Sequence, residues 1–242
     1  MTESQALGTQ KALLLFRLGV AVVMATASVG GHALAADGEE VEPRTPADRL
    51  MVARARATLA TLEGLIEKER ARPRGAPARR VIDRWGHRLI LFATGTDGVA
   101  ERIHSFEPGF ALRSLYALVL DSEHRVRLFL IEPMSRQEAY EIDQYLFAGD
   151  GGAIARDHTY GTFTDCADGR IHERRIVTVF GPRLRVLQRK VEFLNELAGQ
   201  PLTLGCALEA DRPPFSDAAS LLRAHGLERL ASEAGLRVGP GP

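Results

Sequence analysis

A chain of 242 residues with 45% hydrophobic and 26% charged residues has the make-up of an ordinary globular protein with ample material for a core. Its 31 Lys and Arg balance 31 Asp and Glu. That excludes the basic excess through which nucleic-acid binders neutralise phosphates, so no nucleic acid is expected as a partner.

Residues 11–35 read KALLLFRLGVAVVMATASVGGHALA. Two positive charges, an apolar run from Leu18 to Val29 and an Ala33-Leu34-Ala35 ending form a secretory signal peptide over residues 1–35, cut between Ala35 and Ala36. The alternative is a retained anchor: counted from Ala12 the apolar stretch is long enough to span a bilayer, although Arg17 interrupts it. Without residues 1–35 the chain carries 29 basic and 30 acidic residues, a net charge of −1. The expected location is periplasmic or extracellular, with membrane contact only if residues 12–29 stay as an anchor.

Residues 36–44, ADGEEVEPR, read as an acidic, solvated linker. Thr45-Pro46-Ala47-Asp48 marks a helix start, with Thr45 as cap and an acid three residues on. The helix runs over 45–70, with Met51, Ala55, Thr58, Leu59, Leu62, Leu65 and Ile66 at helical spacing. Arg54, Arg56, Glu63, Glu67 and Lys68 form its solvated face.

From Arg79 to Phe180 short segments rich in β-branched and aromatic residues alternate with Gly and Asp turns. Seven strands are predicted, near 80–93, 99–106, 114–120, 125–131, 139–147, 153–163 and 171–180. Their short connections require antiparallel pairing, which excludes a doubly wound sheet. Leu91–Phe106 (LFATGTDGVAERIHSF) aligns with Leu146–Tyr160 (LFAGDGGAIARDHTY), with Leu118–Phe129 (LVLDSEHRVRLF) midway. This faint repeat fits a hairpin unit used several times. Two further helical patterns follow, over 182–198 and over 216–234 with a break at Gly226. The fold class is α+β: one amphipathic helix, then an antiparallel meander of about six to seven strands with helices packed on one face, in a single domain over 45–238.

Candidate chemistry concentrates in TDCADGRIHERR, residues 164–175. Asp168-Gly169 between two strands is a hairpin signal. Cys166 precedes it, and the one other cysteine is Cys206, so in an oxidising compartment the two are expected to pair as a disulfide. Under an enzymatic reading His158, His172, Asp165 and Asp168 are the catalytic candidates. His87, His104, His124, His158 and His172 lack zinc-site spacing; scattered among charges they read as solvated, except His87, which reads as partly buried beside Trp85 and hydrogen-bonded to a neighbour. Among the acids Glu132, Glu138, Glu141 and Asp143, no two are marked as a catalytic pair. Gly149-Asp150-Gly151-Gly152 reads as a turn, because a strand and not a helix follows it. The aromatics, Trp85 included, read as core. No metal or cofactor is expected. The reading is an exported, non-enzymatic binding or assembly protein whose partner is another protein or a cell-envelope component. The alternative is a small exported hydrolase or metal-dependent enzyme using His and acidic residues of the sheet.

Overall fold

The computed structural model describes residues 40–72, 83, 85–106, 112–133, 139–162, 172–194 and 214–237. The chain divides into units of residues 1–36 and 37–242, and every described residue belongs to the second. The export segment, Cys166, Cys206, Asp165 and Asp168 lie outside the described residues. Among the described residues no helix is long and apolar enough to cross a membrane.

Helix α1 (Pro46–Arg70) starts where the capping residues require. The Asp48 N–H donates to Thr45 Oγ1 at 3.0 Å and the Thr45 N–H to Asp48 Oδ2 at 3.2 Å, a reciprocal box that satisfies two of the free donors of the first turn. Val52, Ala55, Leu59, Leu62, Leu65 and Ile66 form its buried stripe. Each large member contributes about 1.5–3 kcal/mol by leaving water. The stripe is rotated slightly from the predicted one, since Met51 is 41% exposed and Val52 takes the inward place. Both ends are tied down. Near the start, Arg185 Nη2 donates to Asp48 Oδ1 at 2.8 Å, and at the end Arg70 Nη2 donates to Glu132 Oε2 at 2.8 Å. The Arg70 guanidinium also stands 5.0 Å from the centroid of the Phe106 ring.

The sheet has eight antiparallel strands: β1 (Arg88–Gly95), β2 (Ala100–Ile103), β3 (Leu112–Leu120), β4 (Val126–Pro133), β5 (Ala139–Phe147), β6 (Ala153–Thr162), β7 (His172–Phe180) and β8 (Val186–Leu194). Their spatial order is β2-β1-β3-β4-β5-β6-β7-β8. The seven predicted strands are present, and β8 corrects the helix expected over 182–198. Leu184, Leu187 and Val191 do fall at helical spacing. However, a short 3-10 turn at Pro182–Leu184 reverses the chain, and β8 satisfies the hydrogen-bonding edge that β7 would otherwise leave open. A register shift beside Phe180 brings Leu187 and Gln188 into burial side by side, which hides the period of two in the sequence.

Helices cover both faces of the sheet, where one was expected. Helix α1 packs on Leu91, Ala117, Val119 and Leu130. Helices α2 (Ala218–Ala224) and α3 (Glu228–Glu233), separated by Gly226 at φ 66°, pack on Phe92, Leu118, Phe129 and Phe147 on the other face. Double coverage explains why β1, β3 and β4 read as unbroken apolar runs such as LILFA and LYALVL rather than alternating ones.

The internal repeat corresponds to a shared turn. In the segments 95–99, 121–125 and 148–152 the first N–H donates to the fifth carbonyl, at 3.3, 3.0 and 2.8 Å, and the fourth N–H donates to the first carbonyl, at 3.0 Å in each. The fourth residue takes positive φ: Gly98 at 79°, His124 at 64° and Gly151 at 86°. The turns at 121–125 and 148–152 each adjoin a register shift in their hairpin, and the turn at 95–99 adjoins one in the β1–β3 pairing. This is the type I turn with a left-handed bulge residue, and it demands Gly or a tolerant polar residue at the fourth place. Gly149-Asp150-Gly151-Gly152 is accordingly a turn, as its sequence indicates.

Candidate functional site

Beyond the apolar runs the sheet carries an ionic region across β5, β6 and β7. Residues 156–158, Arg-Asp-His, alternate between its faces. On the face shared with α2 and α3, Asp143 stands opposite His158, Glu141 opposite Tyr160, and Tyr145 opposite Arg156. The side chains pair diagonally. Arg156 grips Asp143 with two parallel bonds, Nε to Oδ1 at 2.8 Å and Nη2 to Oδ2 at 2.9 Å. His158 Nε2 lies 3.2 Å from Glu141 Oε1. The Arg156 guanidinium also stands 5.5 Å from the Tyr145 ring centroid. Burial raises the Asp143 carboxyl above the ordinary carboxylate range, and the Arg156 fork only partly opposes this.

On the opposite face, under α1, Arg175 Nε donates to Asp157 Oδ1 and Oδ2 at 3.0 Å each. Glu63 of α1 sits half-buried over this pair, with Glu192 of β8 beside Arg175. Burial, reinforced by the charge of Asp157, pushes the Glu63 carboxyl up to about 7. Glu63 is therefore part of the helix–sheet contact, which corrects its assignment to the solvated face.

Of the catalytic candidates, His158 is described in full. It is 4% exposed and held by Glu141, so the expectation of a solvated histidine is corrected. His172 lies at the start of β7 opposite Thr162, and Asp165, Cys166 and Asp168 lie outside the described residues. Glu132 faces α1, Glu141 and Asp143 lie side by side on the other face, each bonded to its own partner on β6, and Glu138 lies outside the described residues. His87 and His124 belong to turns at one end of the sheet, and His104 follows the end of β2. Among the described residues no group of three or more His, Cys, Asp or Glu is placed to hold a metal ion. A His–Glu pair of this kind can serve as a general base where a substrate reaches the ring.

The sequence reading missed the presentation of Trp85, the sole tryptophan, which is 63% exposed rather than in the core. Its turn is built on Asp83. Oδ1 accepts from the N–H groups of Trp85 and His87 at 2.8 Å each, and Oδ2 lies 2.8 Å from His87 Nδ1. Burial alone would raise the Asp83 carboxyl, but the bonds from the His87 ring and from the two N–H groups outweigh it and hold it below the ordinary range. A second turn repeats the arrangement: Asp121 Oδ1 accepts from the N–H groups of Glu123 and Arg125 at 2.9 and 3.0 Å, and Oδ2 from Arg125 Nε at 2.9 Å. The two are neighbours, since a Cβ on Gly86 would stand 3.7 Å from Ser122 Cβ. The pattern DRWGH against DSEHR, an aspartate four residues before a histidine or arginine ahead of a strand, is the signal that could have found them.

No protein-family model, curated protein or solved structure matches the chain.

Proposed function

We propose that this chain is an exported, non-enzymatic binding or assembly protein that engages another protein or a cell-envelope component through the turn-bearing end of its sheet. The observation that supports the reading is Trp85, 63% exposed on a turn locked by Asp83 beside the matching Asp121 turn. A tryptophan offers a large contact area on few rotatable bonds, and the lock removes most of the ordering cost of binding. The sheet's ionic groups are bonded to one another within the fold, so the reading assigns them to its architecture. Photo-crosslinking from position 85 in intact cells tests it. A discrete protein adduct is expected from position 85, absent from a probe at exposed Glu233 and weakened by Asp83→Ala. Equal adducts from both positions refute the reading.

The His158–Glu141 contact favours a second reading, an exported hydrolase that uses His158 as a base. Turnover of ester, peptide or glycoside substrates that His158→Gln abolishes, with the thermal transition retained, would favour it over the first.

A further inference from the structure

We propose that the outer edge of β8 is a dimerisation strand, covered by the chain's own residues 40–42 and opening onto the β8 of a second copy. This site does not involve Trp85 and rests on different observations. A strand edge presents a row of backbone donors and acceptors, so what fits it is another extended chain. The edge strand β2 has four residues, whereas β8 has nine. The structure shows one occupant already seated on β8. The Val41 N–H donates to the Arg189 carbonyl at 3.0 Å and the Arg189 N–H to the Val41 carbonyl at 2.9 Å, an antiparallel bridge. Glu42 Oε2 accepts from Gln188 Nε2 at 3.2 Å, and Glu40 Oε1 accepts from the Val191 N–H at 3.5 Å. Residues 40–42, whose composition reads as solvated linker, thus cover the edge at one backbone position, and a carboxylate at the limit of bonding distance stands in for a carbonyl at the next. Outward backbone groups recur at every second residue, so Val191 and Phe193 follow Arg189 along this edge. Beyond the ladder with β7, among the described residues no backbone bond reaches the Val191 carbonyl or either backbone group of Phe193.

The strand that this edge fits is β8 itself. Two copies of one strand meet antiparallel across a two-fold axis, and the residue on the axis fixes every pairing. With Lys190 or Glu192 on the axis, a charge meets its own copy at close approach. With Arg189 there, Lys190 faces Gln188. Val191 on the axis is the one register that sets Lys190 opposite Glu192 and, by symmetry, Glu192 opposite Lys190. Backbone bonds then form between the two Val191 residues and at both Arg189–Phe193 matches, a longer ladder than the single bridge to Val41. The Lys190 side chain is 47% exposed and that of Glu192 30%, and they already meet at 2.5 Å along one face. The second copy extends this pair into a cluster of alternating charge. Residues 40–42 occupy the same backbone groups and must leave before the copies pair.

Sedimentation equilibrium of the full chain tests this. The two backbone bonds of the bridge correspond to about a tenfold preference for the covered edge, and both copies must uncover it. Val41→Pro removes the bridging N–H and should therefore tighten dimerisation about a hundredfold. The parent should form the same dimer at about a hundredfold higher concentration. In either protein K190E or E192K alone sets like charges opposite at both symmetric positions and should weaken the dimer about tenfold, whereas K190E/E192K together should restore it. The thermal transition of each variant confirms that it is folded. A folded Val41→Pro chain that stays monomeric, a dimer indifferent to the single reversals, or a double reversal that fails to recover it overturns the proposal.

Discussion

Replacing Glu63 by glutamine removes one charge from the contact between α1 and the sheet while keeping its shape. The carboxyl faces Asp157 on β6, Arg175 on β7 and, beyond Arg175, Glu192 on β8, with Glu67 on its own helix. Lys190 Nζ lies 2.5 Å from Glu192 Oε1 and is occupied there. The contact therefore holds more carboxylates than cations, and burial makes Glu63 the one that keeps its proton, with a pKa moved from 4.5 to about 7. Because the folded value is the higher one, the native state binds more protons than the unfolded chain between these limits. This contribution to stability is complete below about pH 4.5 and is lost as pH rises through 7. At about 1.4 kcal/mol per tenfold change in proton affinity the full effect is about 3 kcal/mol, and partial solvent access reduces it to about 1–3 kcal/mol. Urea denaturation of the parent and Glu63→Gln at pH 5, 6, 7 and 8 reads it directly. The two proteins should differ least at pH 5, and the variant should become the more stable by about 1–3 kcal/mol at pH 8. Titrations elsewhere cancel in the difference. A variant destabilised by the same amount at every pH would refute the reasoning, because Glu63 would then contribute an ionised contact.

The Arg156–Asp143 fork should behave as a coupled pair. Asp143→Ala leaves a buried cation and should cost about 3–5 kcal/mol, whereas Asp143→Ala with Arg156→Met should recover most of that; additive losses in urea denaturation would show that the two side chains do not depend on each other. Thiol titration of the unfolded, exported chain should find no free cysteine, and Cys166→Ser should cost up to about 4 kcal/mol by the chain-entropy model. Two titrating thiols per chain would rule out the Cys166–Cys206 bridge.

Helix α1 and the first seven strands were legible in the sequence because their signals are local. A cap, a helical stripe of Val, Leu and Ile, and Gly or Asp in turns act within a few residues of one another. The same holds for the shared hairpin turn, which the aligned LFATGTDG and LFAGDGG segments announce. Three features needed the tertiary structure. Strand β8 carries a stripe that also fits a helix, and the open edge of β7 decides between them. Burial of His158, Asp143 and Arg156 cannot be read from ARDHTY, because charged residues alternating along a strand look alike whether they face water or a partner on the next strand, and only the β5–β6 register brings a carboxylate to each. Trp85 shows the reverse: hydrophobicity placed it in the core, whereas Asp83 binds the backbone on both sides of it and fixes a turn with its side chain outward. Propensity and periodicity are properties of a segment, but edge pairing, charge neutralisation and exposure are properties of what the rest of the fold sets beside it.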